Sequence, residues 1–182
     1  SSMTTLIAPA SIPPATDPIW RLSVEQYHSM IDSGILESGS PVELVEGILL
    51  EKMSKKPTHI FSTEELRDAL SSLLPDGWCL RTQDPITLSD SEPEPDLAVV
   101  AGTRRRYLTR HPGWEEVALV VEVSDSTLAR DRGLKLRVYA RAGIPVYWIV
   151  DVNGRRVEVY TDPDRATATY RASVVLQASD AI

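Results

Sequence analysis

The residue most suggestive of chemistry is Glu122, because it lies inside an apolar run, Ala118–Val123, that predicts a buried strand. An ionised carboxylate inside such a strand costs on the order of several kcal/mol unless a cation or hydrogen-bond donors hold it. A second acid, Asp96, opens another apolar strand, Pro95–Val100. Two acids on neighbouring core strands indicate a divalent-metal site, since hard cations prefer carboxylate oxygens. The two acids therefore suggest metal-assisted phosphate chemistry.

A third candidate, Lys135, lies on the apolar side of a helix predicted over residues 129–142. At about 100° per residue, Lys135 points into the middle of the arc formed by the apolar positions. These positions are Leu134, Val138, Tyr139 and Ala142. A lysine there either extends to solvent or reaches a buried partner, and the acids Asp96 and Glu122 are available. An ordinary helical ion pair with Asp131, four residues earlier, explains the same lysine equally well.

Two more residues, Glu43 and His59, have types that suit the same site. Glu43 is a lone acid within a predicted strand, whereas Glu46 precedes the turn residue Gly47 and so has a simpler structural role. His59 begins a long predicted helix, where it could bind a phosphate or a metal-bound water. A histidine in that position is more often a partly exposed residue of the first turn. The sequence contains no glycine-rich phosphate loop, nucleophile elbow or histidine pair at zinc spacing.

Strands predominate among the elements that must position these residues, with two substantial helices packing on them. The capping-box spacing of Ser23 and Gln26 predicts a short helix over residues 23–31, and apolar periodicity predicts a longer one over residues 58–74. Turn signals predict a hairpin over residues 42–53 and a second one around Asn153-Gly154. The other predicted strands cover residues 78–82, 86–88, 95–100, 118–123, 146–150, 156–160 and 168–176. The nearly all-apolar run 146–150 predicts a central strand.

The composition is that of an ordinary globular domain, and 182 residues are enough to bury a sizeable core. We expect residues 1–18, which are rich in Ser, Thr, Ala and Pro, to form a flexible arm, and residues 19–182 to form one domain. No apolar run approaches the about 20 residues needed to cross a bilayer, so we expect no membrane partner. The single Cys79 excludes an intrachain disulfide and a multi-cysteine zinc site, and predicts a reducing, cytoplasmic compartment.

The net charge of −7 argues against strong non-specific binding to a phosphate backbone, which usually needs a basic surface. It does not exclude an enzyme that acts on nucleic acid, because acidic metal ligands add to the negative count. Basic residues cluster at Arg104–Arg106 and again between Arg130 and Arg141. For the arginine triplet, scattered solvated charge is the better explanation.

Taken together, these segments resemble the Uma2 family of restriction-endonuclease-like proteins. The resemblance rests on Val42–Gly47, Pro95–Leu97, Leu119–Ser124, Asp131–Leu136 and Tyr139–Asp151. It covers residues 23–160, and the stretch from Glu122 to Asp151 is its most specific part. The acids alone would be weak evidence.

The resemblance implies the PD-(D/E)XK nuclease fold, a mixed α/β sheet flanked by helices, in which acids at the sheet edge bind a divalent cation. Asp96 matches the aspartate of the Pro-Asp motif, and Glu122 matches the acid of the following strand. Ser124 stands where the superfamily expects a lysine. Uma2-like sequences instead take the lysine from the following helix, and Lys135 matches it. The apolar periodicity of the predicted helix points to Lys135 independently of the resemblance.

The remaining positions of the family pattern are partly kept. Glu43 matches the hairpin acid and His59 matches the histidine at the helix start. Asp125 stands where the family usually has proline, and Val146 stands where an acid is common. Neither departure removes an expected ligand, but Asp125 adds negative charge near the site.

The activity implied by the resemblance is metal-assisted hydrolysis of a phosphodiester. Asp96 and Glu122, together with Glu43, would hold Mg²⁺ or Mn²⁺, which suits ligands that are all hard oxygens. Lys135 would orient the attacking water or stabilise charge in the transition state. Nucleic acid, with DNA first, is the expected substrate, and His59 is the expected substrate-binding residue. A homodimer is expected, because nucleases of this kind commonly pair and the apolar surface strands need cover.

Two alternatives stay open. One is a non-catalytic binding or assembly protein that keeps the nuclease fold, which the acidic balance and the lack of an obvious DNA-reading module favour. The other is a metal-dependent hydrolase that acts on a smaller phosphate ester. Competition by a short oligonucleotide and by a mononucleotide would separate this last reading from a nuclease.

Overall fold

The computed structural model describes residues 18–37 and 39–177. The arm predicted over residues 1–18 lies outside the described residues except for Pro18. In chain order the elements are helix α1 (Val24–Asp32), strands β1 (Val42–Val45) and β2 (Ile48–Glu51), helix α2 (Pro57–Leu73), strands β3 (Trp78–Thr82), β4 (Leu97–Ala101) and β5 (Val117–Ser124), helices α3 (Leu128–Arg130) and α4 (Leu136–Ala142), and strands β6 (Val146–Asp151), β7 (Arg156–Asp164) and β8 (Thr169–Gln177). A π-helical turn, Asp131–Lys135, joins α3 to α4 without a break. Across the described part of the chain, no helix is long and apolar enough to span a membrane.

Six strands form one mixed sheet in the order β3-β4-β5-β6-β7-β8, and β1 pairs with β2 in a separate hairpin. Only β5 and β6 run parallel; the other neighbours in this sheet are antiparallel. A parallel pair needs a crossover connection, which α3, the π turn and α4 supply. The predicted central position of the 146–150 run is confirmed, because β6 lies inside the sheet.

Strand alternation divides the core between the two faces of the sheet. On one face, Tyr139 of α4 packs with Val120 and Ile149 of the sheet, and all three are fully buried. On the other face, α2 covers Leu97 and Val121 with its own apolar side chains. Each fully buried side chain of this size contributes about 1.5–3 kcal/mol relative to exposure. The two layers thus fix the strand ends beside which Asp96 and Glu122 lie, the start of β4 and the end of β5.

The β1–β2 hairpin is tied to the rest of the fold at its turn. Gly47 has φ +76°, its carbonyl accepts the Leu22 N–H at 2.8 Å, and its own N–H bonds the Asp90 carbonyl at 2.9 Å. The Glu46 carboxylate accepts hydrogen bonds from Arg137 and Arg141 of α4. These contacts hold β1 beside α4 and so place Glu43 next to the crossover helix.

Several predicted elements are confirmed at their expected places. Helix α1 has the capping box, with hydrogen bonds running both ways between Ser23 and Gln26. Both hairpins form, and β7 continues to Asp164, four residues past its predicted end. Gly143, at φ +84°, ends α4 as predicted.

Two predictions were wrong in detail. Residues 86–88 do not form a strand: Thr87 makes an isolated bridge to Gly113, and a local turn bonds Leu88 N–H to the Ser91 carbonyl. The apolar side chains that suggested a strand are buried in the core from this irregular segment. Asp96 precedes β4 instead of opening it, since the strand begins at Leu97. Its position beside the sheet edge is unchanged.

Candidate active site

The register of β4 and β5 brings the two predicted acids together. Leu97 pairs with Val121, so Asp96 and Glu122 lie opposite each other one step further along. Asp96 is 7% exposed and Glu122 is 6% exposed. The Asp96 Oδ2 accepts the Val123 N–H at 2.8 Å, which fixes this carboxylate against β5. Asp96, just ahead of β4, and Glu122 of β5 therefore lie side by side in the core.

Lys135 reaches both acids that flank it. Its Nζ donates to Glu43 Oε2 at 2.8 Å and lies 3.4 Å from Glu122 Oε1. The lysine is 3% exposed, so it has not turned to solvent. Of the two explanations for its position, the reach to buried carboxylates is the one observed, and these hydrogen bonds do not go to Asp131. The surprise is that the nearer partner is Glu43.

Tyr139 is a site residue that was not predicted, because its place on the apolar side of the helix indicated a core residue. Its hydroxyl donates to Glu122 Oε1 at 2.6 Å, the same oxygen that Lys135 approaches. Tyr139 follows Lys135 by four residues, one turn further along the same helix face. The only signal available was this spacing. The two donors orient the Glu122 carboxylate from one side.

A π-helical turn positions Lys135, which is its last residue. The turn begins at Asp131, whose Oδ2 accepts the Ser124 hydroxyl at 2.5 Å and the Thr127 hydroxyl at 2.6 Å. The Tyr147 hydroxyl donates to the Asp131 carbonyl at 3.0 Å. Such π turns insert an extra residue into a helix and are frequent at functional sites. Asp131 and Ser124 thus anchor the turn to β5, which explains the serine found where a lysine is usual.

The electrostatics of the site are set by burial and by mutual charge. Burial raises the pKa of Glu122 well above its ordinary value; Lys135 opposes this change, while Asp96, Asp131 and Glu43 add to it. Burial acts to lower the pKa of Lys135, but the charges of Glu122 and Glu43 outweigh it and raise that pKa overall. Lys135 is therefore a charged ammonium, and additional positive charge beside Glu122 would favour its ionised form.

His59 and Glu43 complete the centre of the site. His59 is buried, so the expectation of a partly exposed first-turn residue is wrong. Its Nε2 lies 3.2 Å from Asp96 Oδ2, and within the described residues its buried Nδ1 has no hydrogen-bond partner. Glu43 Oε2 also accepts the Glu94 N–H at 3.0 Å.

These side chains line one open cleft. Its walls are the segment 52–56 after β2, Glu94 and Asp96 ahead of β4, and residues of the segment 122–131. Glu43, His59 and Lys135 also line it. Asp125 lies at its edge, where Thr58 donates to it at 3.0 Å and Asn153 also bonds it. The five residues predicted for the site therefore share one cleft.

The donor set fits a magnesium-like ion held by two carboxylates. Within residues 18–37 and 39–177, no group of three or more His, Cys, Asp or Glu side chains is arranged to hold a metal ion. Mg²⁺ does not need such a cage, because it is commonly bound through one or two carboxylates while keeping several waters. Asp96 and Glu122 are the hard-oxygen pair that could hold it. Participation of Glu43, which is bonded to Lys135, stays a prediction.

Comparison with known proteins supports the fold. The family model Uma2, described as "Putative restriction endonuclease", matches residues 24–182. Among solved structures, a putative nuclease belonging to DUF820 from Anabaena variabilis is similar with a TM-score of 0.62 and 17% sequence identity, covering 88% of this chain and 87% of that chain. At this identity the likeness shows the fold alone. It confirms the predicted restriction-endonuclease-like fold, a mixed α/β sheet flanked by helices. No curated protein matches the chain.

Proposed function

Because this chain belongs to the Uma2 family, we propose that it is a metal-dependent endonuclease that hydrolyses phosphodiester bonds of nucleic acid, with DNA as the first candidate. Restriction-endonuclease-like families generally use divalent metals. The observation that carries the proposal is the burial of Lys135 between Glu43 and Glu122, in the same cleft as Asp96. Folding alone does not call for this buried charge cluster, since replacing all of its members together by well-packed apolar residues is often neutral or stabilising.

The proposal gives each side chain a role that its contacts support. Asp96 and Glu122 would hold Mg²⁺ or Mn²⁺, which when bound polarises a phosphate and lowers the pKa of a coordinated water. Tyr139 and Lys135 contact the same oxygen of Glu122, so they hold that carboxylate in one orientation. The Lys135 ammonium would donate to the attacking water or to charge that develops on the phosphate.

His59 and Glu43 would act at the edges of this centre. His59 lines the cleft beside Asp96, and we assign it to substrate binding. Glu43 holds Lys135 in place at 2.8 Å and remains a candidate third ligand. Asp131 acts through the π turn and is a positioning residue.

A homodimer and a cytoplasmic location belong to the same proposal. Strand β8 is an edge of the large sheet, and its side chains Val174, Val175 and Leu176 are more than half exposed. An unprotected apolar edge strand favours pairing with another chain. Size-exclusion chromatography with light scattering would show a dimer, and a monomer at all concentrations would contradict this part. The free Cys79 supports a reducing compartment.

The direct test is cleavage of labelled DNA with Mg²⁺ or Mn²⁺ by the wild type and by Lys135→Ala. We expect about a 10²-fold to 10³-fold lower rate for the variant, the usual cost of losing a donor to transition-state charge. Arg171→Ala, which removes an exposed cation from β8, is the control and should cleave at the wild-type rate. Full metal-dependent cleavage by Lys135→Ala would contradict the role given to this lysine.

The main alternative remains a binding or assembly protein that keeps the nuclease fold. The acidic net charge of −7 favours it, because binding to a phosphate backbone usually needs a basic surface. Retained metal binding without hydrolysis of DNA, RNA or a small phosphodiester would support this alternative. Hydrolysis of a mononucleotide ester, but not of an oligonucleotide, would instead support a small-ester hydrolase.

A further inference from the structure

The distribution of lysine in this chain is uneven. Every lysine of the sequence, namely Lys52, Lys55, Lys56 and Lys135, lines the candidate active-site cleft. All other basic side chains, apart from histidine, are arginines. Lys135 lies on the buried floor of the cleft. The other three belong to one irregular segment between β2 and α2, and we refer to Lys52, Lys55 and Lys56 as the lysine rim.

The lysine rim faces the acids of the cleft. Lys52 Nζ lies 2.5 Å from Glu94, and Lys55 Nζ lies 3.9 Å from Asp96 Oδ1. Lys56 Nζ lies 3.9 Å from Asp125. The three side chains are 30%, 36% and 64% exposed, so their ammonium groups remain accessible at the mouth of the cleft. Long exposed lysines normally extend to solvent, but here all three are near acids that line the cleft.

The lining of the cleft carries nearly as many cations as carboxylates. Among the described residues, six carboxylates, five lysine or arginine side chains and His59 line it. A phosphate that approaches Asp96 and Glu122 is repelled unless positive charge lies nearby. A divalent ion offsets this at the reacting phosphate only. The neighbouring phosphates of a polymer would need cations along the mouth of the cleft, which is where the lysine rim lies.

We propose that the lysine rim binds the phosphate backbone that flanks the scissile position, so that the substrate is a polynucleotide and not a mononucleotide. This inference rests on the proposed nuclease function and names the residues that would bind the flanking backbone of its substrate. Lysine binds phosphate as a point charge without reading bases, so the rim contributes affinity and position without sequence preference. On nucleic-acid binding, the rim exchanges its acid partners for phosphate oxygens.

The test measures binding without cleavage. A short labelled DNA duplex is titrated in EDTA with the wild type, with K52Q/K55Q/K56Q and with the control R104Q/R105Q/R106Q, and fluorescence anisotropy is followed at about 50 to 200 mM salt. Each variant loses three positive charges, but the arginine triplet does not line the cleft. Urea unfolding checks that both variants stay folded.

For the lysine variant we expect at least about a tenfold loss of affinity at the lowest salt. Its slope of log K against log salt should be shallower than that of the wild type by about 2.7, which is 0.9 for each lost contact. The control should keep the wild-type slope. Amine acetylation read by mass spectrometry should also fall at Lys55 and Lys56 when DNA is added. Because every lysine of the sequence lines the cleft, acetylation of lysine side chains reports on the cleft.

The outcomes separate this inference from the proposed function. Unchanged affinity and slope in the lysine variant, an equal loss in the arginine control, or no DNA binding by the wild type would each overturn the inference. Hydrolysis of bis(p-nitrophenyl) phosphate with Mg²⁺ is measured in parallel, because this small diester has no flanking phosphates. Hydrolysis of the diester, with DNA binding unchanged in the lysine variant, would refute backbone binding by the lysine rim and leave the proposed nuclease site unaffected. DNA binding that depends on the lysine rim, without any hydrolysis, would support backbone binding by the rim and refute the proposed catalytic activity.

Discussion

Replacing Lys135 by methionine should destabilise the protein strongly in the absence of metal. The ammonium is 3% exposed and contacts Glu43 at 2.8 Å and Glu122 at 3.4 Å. Methionine keeps much of the side-chain volume but leaves two buried carboxylates without their cation. Breaking a buried ion pair by removing one partner costs about 3–5 kcal/mol. We therefore expect a free energy of unfolding about 3–5 kcal/mol lower than that of the wild type.

The assay is urea unfolding in EDTA at neutral pH, followed by circular dichroism. Lys56→Met is the matched control, because it makes the same chemical change at a lysine that is 64% exposed and 3.9 Å from Asp125. Exposed pairs of this kind contribute about 0–1 kcal/mol. An unchanged dependence of the free energy on urea would show that both variants unfold from comparably compact states.

A double-mutant cycle with Glu43→Gln isolates the Lys135 interaction. Removing the carboxylate together with the lysine should cost less than the sum of the single changes, with a coupling of about 0.5–3 kcal/mol. Two results would contradict this expectation: Lys135→Met unfolds like Lys56→Met, or the changes at Lys135 and Glu43 are additive. Either result would mean that the buried pair does not hold the site together.

Three more results are expected, each read by equilibrium unfolding. Tyr139→Phe should lower the free energy of unfolding by about 1–3 kcal/mol, because the buried Glu122 carboxylate loses the donor at 2.6 Å; no change would show that water replaces it. Hydrogen bonds from two arginines of α4 hold the pKa of Glu46 at about 2, below its unfolded value of about 4.3. The stabilisation by Glu46 is therefore present above pH of about 4.3 and lost as pH falls toward 2. In Glu46→Gln the free energy of unfolding should fall less over this pH range than in the wild type. The same pH dependence in both proteins would contradict the pairing. Gly47→Ala should lower the free energy of unfolding more than Gly34→Ala, although both glycines have φ near +77°. An added Cβ lies 2.6 Å from a neighbouring side-chain carbon at Gly47 but meets nothing within 4 Å at Gly34. Equal losses would show that the turn can relax.

Much of the fold could be predicted because local signals agree with the tertiary structure. The capping box of α1, the two hairpin turns and the apolar run of β6 each specify an element from a few neighbouring residues. The prediction of a strand over residues 86–88 was wrong because Ile86 and Leu88 are buried from an irregular segment. Apolar alternation looks the same in a strand and in such a segment.

The site was predictable where burial conflicts with charge. Glu122 and Lys135 stood out because an acid in an apolar strand and a lysine on an apolar arc both need partners. The partner of Lys135 was harder to predict, since Glu43 is 92 residues away and the contact depends on how the hairpin docks on α4. The π turn from Asp131 to Lys135 has no composition signal, because its first residue is held by two hydroxyls, those of Ser124 at the end of β5 and Thr127 beyond it. Tyr139 was hidden because a buried tyrosine that packs and one that also donates look alike in sequence.

The clustering of lysines is visible in the sequence only in part. Lys52, Lys55 and Lys56 are close in the chain, but their relation to Asp96 appears only when α2 packs against the sheet. Their acid neighbours come from two separate segments, Glu94 and Asp96 ahead of β4 and Asp125 after β5. A basic patch and an acidic site that look unrelated in sequence thus form the two sides of one cleft.

Calorimetric titration with Mg²⁺ and Mn²⁺ shows whether Asp96 and Glu122 form a divalent-metal site. The wild type is compared with the Asp96→Ala, Glu122→Ala double variant. The control is the Glu65→Ala, Asp68→Ala double variant, which removes two exposed carboxylates from α2. We predict that the wild type and the control bind the ions and that the cleft variant does not. Equal binding by all three proteins, or no binding by the wild type, would contradict the account and leave Glu122 as a structural acid paired with Lys135.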